Sequence, residues 1–224
     1  MRWGGIIVAA GRGTRFGGPK QLIDLGGRPM LAWSLRTFAG MDEIAALVVV
    51  TEPQWIETVK ALLEELHPNC AYAVVRGGAS RQASVRCGLD ALPAGCDAVF
   101  VHDGARPLVR AEDVRAGMRE VRVGRGAVLG AQVVDTIKVV DPQTMLVRTT
   151  LKRDELWAAQ TPQFAMLDEL VRAHEEAERS GLEATDDVAL LEMTGIEVVV
   201  VPASAENFKV THPADVERAA AHLR

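Results

Sequence analysis

Four times in the first half of the chain, a short apolar run without a polar break gives way to a stretch with helical spacing. The runs are Ile6-Ile7-Val8, Leu47-Val48-Val49-Val50, Tyr72-Ala73-Val74-Val75 and Ala98-Val99-Phe100-Val101. Each is too short for a helix, and apolar at every position rather than at alternate ones, which is the pattern of a strand buried on both faces. The stretches between them read as helices over 30–38, 53–66 and 80–92, with a fourth entered through Pro107 and Glu112 and running to about Val121. Pro29 and Pro53 stand where helices begin, and Gly40 and Pro68 where they end. Strands that alternate with helices in this way form a doubly wound, mostly parallel sheet with helices on both faces, an α/β fold.

In such folds ligands sit beyond the carboxyl ends of the strands. The stretch after the first strand is Ala9-Ala10-Gly11-Arg12-Gly13-Thr14-Arg15-Phe16-Gly17-Gly18-Pro19-Lys20-Gln21. Its glycines let the backbone turn sharply and approach a ligand, and exposed amide N–H groups in such a loop favour anions. Arg12, Arg15 and Lys20 add three cations within nine residues. A P-loop would need Gly-Lys-Ser/Thr, but Lys20 follows Pro and precedes Gln; a dinucleotide fingerprint would need glycine at Phe16. The loop therefore reads as a cradle for a nucleoside triphosphate. Gly77-Gly78 and His102-Asp103 end later strands and are expected to converge on the same cleft.

Asp103 is placed either to hold Mg²⁺ against triphosphate oxygens or to cap its own turn. His102 reads as a satisfied core or turn histidine. Arg106 suits a phosphate or a neighbouring carboxylate equally. Lys209, three residues after Glu206, reads locally as half of a surface pair, and Asp186-Asp187 as a helix cap with a favourable dipole interaction.

Past residue 121 the rhythm changes. A strand is expected at 127–129, then a hairpin in which Asp135-Thr136-Ile137-Lys138-Val139-Val140 and Leu146-Val147-Arg148-Thr149 flank Asp141-Pro142. This reads as an arm over about 134–153 whose apolar side chains need cover from another chain. A charged helix is expected over 167–179, a helix capped by Thr185-Asp186-Asp187 to Met193, a strand at 198–201 and a last helix from Ala214. There is no internal repeat or linker, so residues 1–224 read as a single domain.

With 48% hydrophobic and 25% charged residues, the chain has ample material for a core. A net charge of −5 speaks against a general nucleic-acid binder, and no apolar stretch is long enough to span a membrane. The apolar start meets Gly and Arg too soon for a signal peptide. Cys70, Cys87 and Cys96 have neither zinc-ligand nor CxxC spacing and read as free thiols, so a cytoplasmic protein is expected.

The opening Ala-Ala-Gly-x-Gly-x-Arg…Pro-Lys-Gln resembles nucleotidyltransferases broadly. Four later stretches are narrower: Gly77-Gly78-x-x-Arg81-x-x-Ser84, Val101-His102-Asp103-x-Ala105-Arg106-Pro107, Asp135-Thr136-Ile137-Lys138, and Thr161-Pro162-Gln163 with Thr185-Asp186-Asp187. In this order they resemble the 2-C-methyl-D-erythritol 4-phosphate cytidylyltransferases of the non-mevalonate isoprenoid pathway, over nearly the whole chain. The resemblance implies a Rossmann-like nucleotidyltransferase fold and transfer of CMP from CTP to the polyol phosphate. It implies that Gly11, Gly13, Arg15 and Lys20 hold the CTP phosphates, that Gly78 and Ser84 help read cytosine, and that Ala9, Ala10, Arg81 and Gly104 also belong to the nucleotide site. Lys20, Lys209 and Arg15 would be the catalytic cations, with Lys209 close to the reacting phosphate. Asp103 would bind Mg²⁺, with Glu206 a second candidate ligand although the family usually has Asp there. Arg106, Thr161 and Thr185 would serve the substrate. The family is dimeric, and Thr136 and Arg153 would reach from one subunit's arm into the other's cleft. Gly104 stands where Ala is common, an exchange expected to be harmless. A related cytidylyltransferase for ribitol 5-phosphate, a sugar-phosphate nucleotidyltransferase and an inactive nucleotide-binding regulator remain alternatives.

Overall fold

A computed structural model of the chain describes residues 1–11, 16, 18 and 20–223. The four apolar runs become β1 (Trp3–Val8), β2 (Ile44–Thr51), β3 (Ala71–Arg76) and β4 (Ala98–Asp103). They are separated by α1 (Met30–Ala39), α2 (Ile56–Leu66) and α3 (Arg81–Asp90), and followed by α4 (Ala111–Glu120). Pro53 opens a 3₁₀ turn over Pro53–Trp55 that leads into α2. β5 (Arg125–Gln132) and β9 (Glu197–Pro202) extend the strands expected at 127–129 and 198–201. Helices α5 (Leu167–Ser180), α6 (Asp187–Met193) and α7 (Pro213–Ala221) complete the set.

One strand was not foreseen. β8 (Trp157–Met166) lies between β4 and β5 and gives a seven-stranded sheet in the order β3-β2-β1-β4-β8-β5-β9. β8 runs antiparallel to both neighbours, whereas β1 with β2, β1 with β4, β2 with β3, and β5 with β9 are parallel. Its middle, Gln160-Thr161-Pro162-Gln163, lacks the apolar run of an interior strand, and proline donates no ladder hydrogen bond. The pairing with β5 is irregular there, jumping from Val128 opposite Gln163 to Gly130 opposite Ala159, so Pro162 falls in a bulge.

Side chains alternate across the sheet and build a core on each face. Ile7, Leu47, Val49 and Phe100 face α1, α2 and α4, where Phe38 and Phe100 have ring centroids 4.9 Å apart. Ile6, Val48, Val50 and Val101 face α3, α5 and α6. A smaller cluster of Leu25, Met30, Ala105, Val210 and Ala219 fastens α7 and the segment before it to the end of the molecule that carries the strand C-termini.

The expected arm is present. β6 (Lys138–Val140) and β7 (Val147–Thr150) form a two-stranded sheet of their own, and the Asp141 carboxylate accepts from the Gln143 and Thr144 amides at 3.0 Å in the turn. Val134, Ile137, Val139, Leu146 and Val147 are exposed on it. No helix among the described residues is long and apolar enough to cross a membrane. Cys70, Cys87 and Cys96 carry free thiols, as their spacing implied.

Candidate active site

The C-terminal ends of β1, β3 and β4 open into one cleft of about 320 Å³. Ala10 and Gly11 come to it from the loop after β1, Gly78 from the turn after β3, Asp103 from the end of β4, and Lys20 and Lys209 from segments far apart in the chain. Gly13 and Arg15 lie outside the described residues. Ala9 is buried beneath the cleft, where its amide donates to Val50 O at 2.7 Å and ties the loop to β2.

The turn after β3 depends on close packing. A Cβ on Gly77 would lie 2.4 Å from Ala10 Cβ, so only glycine lets the loops after β1 and β3 approach, and one on Gly78 would lie 2.5 Å from Ala83 Cβ in α3, so only glycine lets the turn pack on that helix. Ser80 caps α3 by accepting from the Ala83 amide, and the Ser84 hydroxyl donates to Ser80 O while accepting from the Gly78 amide at 3.1 Å. Ser84 thus organises the turn that lines the cleft. Gly104 is also buried; a Cβ there would meet Cδ1 of the fully buried Leu31 at 2.9 Å and the backbone Val8 O at 3.3 Å.

Asp103 is the one carboxylate among the described residues that line the cleft. Arg81 Nε donates to its Oδ1 at 3.1 Å, and Lys209 Nζ to its Oδ2 at 2.8 Å. Its backbone amide donates to the Thr161 hydroxyl at 2.9 Å. Burial would push the Asp103 carboxyl up, but the Arg81 guanidinium and the Lys209 ammonium outweigh it and hold the group well below the usual carboxylate range. Arg81 also donates to Asp187 Oδ2 at 2.7 Å. Burial works against the Arg81 charge, and Asp187 and Asp103 together more than offset it. Burial raises Asp187 itself despite Arg81. Asp187 was read in the sequence only as a cap. Asp186 fills that role, accepting from the Ala189 amide, while Asp187 is buried beneath Arg81.

Several assignments become specific. Lys209 pairs with Asp103 and not with Glu206. Glu206 pairs with Arg110, approaches His222 Nδ1 at 3.5 Å and lines a second concavity, so the structure does not bring it to Asp103 in the cleft. Arg106 donates to Asn207 O at 2.8 Å, a backbone carbonyl and so neither of the two partners, phosphate or carboxylate, that its local sequence left open. Thr161 is 4% exposed and supports Asp103 from below, whereas Thr185 is exposed before α6. Thr136 and Arg153 line a concavity on the arm and not the cleft of their own chain. Lys20 Nζ donates to Val210 O at 2.9 Å, joining the first loop to the segment that carries Lys209.

His102 is the satisfied core histidine its context implied. It is fully buried, with Nε2 3.1 Å from Arg106 O and Nδ1 3.2 Å from the Thr161 hydroxyl. Burial lowers its pKa to about 4. His174 on α5 is likewise lowered to about 4, by burial and then by Arg86 and Arg81.

Two lysines and an ionised aspartate around a glycine-walled cleft have the chemistry to take a polyphosphate, and comparison with known proteins shows the family. The family model described as 2-C-methyl-D-erythritol 4-phosphate cytidylyltransferase matches residues 4–224. The chain belongs to this family. A protein of that name from Streptomyces avermitilis is 44% identical over 232 residues, spanning 99% of this chain and 92% of that protein. Another, from Caldanaerobacter subterraneus subsp. tengcongensis, is 36% identical over the whole of both chains. The crystal structure of 4-diphosphocytidyl-2C-methyl-D-erythritol synthase from Anaerococcus prevotii matches with a TM-score of 0.87 at 29% identity, covering 99% of this chain and 98% of that one. The Thermus thermophilus 2-C-methyl-D-erythritol 4-phosphate cytidylyltransferase matches with a TM-score of 0.78 at 33% identity, covering 99% and 98% respectively.

The two buried neutral histidines make stability depend on pH. Unfolded, each takes up a proton near pH 6.5; folded, each resists until about pH 4. Their contribution is fully present above 6.5 and is lost as pH falls towards 4, with a slope of up to about 1.4 kcal/mol per pH unit for each. Urea unfolding midpoints measured between pH 7 and 4 are expected to fall steadily across that window. A flat profile would show that the histidines are not buried neutral.

Proposed function

We propose that the protein transfers the cytidylyl group of CTP to 2-C-methyl-D-erythritol 4-phosphate, forming 4-diphosphocytidyl-2-C-methyl-D-erythritol and pyrophosphate in isoprenoid precursor biosynthesis. The observation that carries this reading, alongside family membership, is the meeting of Lys20 and Lys209 in one cleft beside Asp103. An oxygen of the polyol's phosphate attacks the α-phosphorus in line, the bond from that phosphorus to the bridging oxygen of the β-phosphate breaks, and pyrophosphate carries the electron pair away. No covalent enzyme intermediate is required. The work of the protein is positioning and charge stabilisation. Lys20 and Lys209 place positive charge where the α-phosphate and the leaving pyrophosphate gain negative charge. Ala10, Gly11 and Gly78 let the backbone come close to the nucleotide, and Ser84 holds the turn for the base.

The donor set is compatible with Mg²⁺. Asp103 Oδ1 and Oδ2 each accept from one cation, and an ionised carboxylate has further acceptor positions. Among the described residues no cluster of three or more acidic, histidine or cysteine side chains forms a complete metal cage. One carboxylate completed by triphosphate oxygens and water is the usual way Mg²⁺ is held at such sites. When bound it would supply charge neutralisation and alignment of the triphosphate. Free thiols support a reducing, cytoplasmic setting.

The dimer is part of the same reading. The exposed apolar side chains of the arm call for a covering surface, and a second copy of the chain supplies it when Thr136 and Arg153 of each arm complete the other's cleft.

Pyrophosphate release measured with each of the four nucleoside triphosphates and a panel of polyol phosphates tests the reaction. Turnover is expected with CTP and 2-C-methyl-D-erythritol 4-phosphate in the presence of Mg²⁺, and little with UTP, ATP or GTP. Preference for another nucleotide or for ribitol 5-phosphate would refute it.

Subunit mixing tests the arm. Lys20→Ala and Arg153→Ala are each expected to lower turnover by ~10² or more. In a co-refolded mixture about half the dimers are heterodimers, each with one doubly defective site and one intact site, so activity returns to about a quarter of wild type. Heterodimers that form and remain as inactive as their parents would place the whole site within one chain.

A further inference from the structure

Asn207 is fully buried, yet it stands in an irregular segment two residues before Lys209. Its Nδ2 donates to Gln160 Oε1 at 3.0 Å and to Thr161 O at 2.9 Å, both on β8. Its carbonyl accepts from Arg106 Nη1 at 2.8 Å. Gln160 closes the loop by donating from Nε2 to Ser204 O at 3.0 Å. Beyond Lys209, the Val210 amide donates to Ala105 O at 2.9 Å, and Val210 O accepts from Lys20. Lys209 therefore lies between two clamped residues. Asn207 Oδ1 is buried without a hydrogen-bond partner, a cost an apolar side chain of similar size would avoid. The position is thus not explained by burial alone.

The link continues to the carboxylate. Thr161, whose carbonyl receives Asn207, also accepts from the Asp103 amide through its hydroxyl. One residue of β8 thus registers both members of the Lys209–Asp103 pair. We propose that Asn207 is a positioning residue for cytidylyl transfer, anchoring segment 204–210 to β8 so that the Lys209 ammonium stands at Asp103 and over the reacting phosphate. Asn207 does not touch the nucleotide in this account; it acts through Lys209. The proposal rests on the role given to Lys209 above.

The test is a double-mutant cycle on the full-length protein, with kcat, KM for CTP and thermal midpoint measured for Asn207→Leu, Lys209→Ala and the double variant. Asn207→Leu is expected to lower kcat about tenfold or more, because small misplacement of a catalytic group is costly, while KM for CTP changes less than about threefold. In the Lys209→Ala background the same substitution is expected to cost nothing further, since residues acting as a unit are not additive. A full repeat of the loss in that background, or a folded Asn207→Leu enzyme with unchanged kcat, overturns the proposal. If Asn207→Leu does not fold, Gln160→Met, which removes an acceptor from Asn207 and a donor to Ser204, runs the same cycle with the same criteria. Near-normal turnover of Lys209→Ala would instead refute the role of Lys209 and the inference with it.

Discussion

The site is organised by one buried negative charge. Asp103 emerges from a central strand, its side chain nearly enclosed, and a carboxylate taken out of water costs several kcal/mol unless partners compensate. Here Arg81 comes from α3 and Lys209 from the segment before α7, so the compensation joins elements distant in sequence. Asp187 balances the second face of Arg81, which makes a chain of alternating charges from α6 to the cleft. Losing either cation would leave the nearly enclosed carboxylate with a single compensating partner. Stability and the geometry of the site are therefore tied together at this point.

The same arrangement bears on function. A cleft for a triphosphate has to present positive charge without letting its cations repel one another into solvent. Asp103 does this by drawing Lys209 and Arg81 inward, and Lys20 is tied to Val210 in the segment beside Lys209. In the proposed function a nucleotide would meet donors already in place, the condition under which electrostatic stabilisation is most effective.

The parallel half of the fold was legible because each buried strand is a plain apolar run and each helix is bounded by Pro or Gly. The location of the cleft followed from topology. β8 was not legible, for a functional reason: Gln160, Thr161 and Gln163 are polar yet buried, each engaged in hydrogen bonds that support the site, so the strand carries no apolar signature. Lys209 and Glu206 looked like a surface pair because spacing within a loop says nothing about partners a hundred residues away. Asp186 and Asp187 are adjacent and chemically identical; only the three-dimensional path of α6 sends one to a helix cap and the other to Arg81. The weight of Asn207 depends on strand β8 and could not be read before that strand was found.

The ionised Asp103 holds Arg81 and Lys209 in register, and in the proposed function it would also receive the metal-bound triphosphate. Calorimetric titration of CTP into wild type and Asp103→Asn, each with and without Mg²⁺, tests that double role most directly. Mg²⁺ is expected to strengthen CTP binding to the wild type and not to the variant, whose turnover falls by ~10² or more while its fold is retained. An equal effect of Mg²⁺ on both proteins, with turnover preserved, would contradict it.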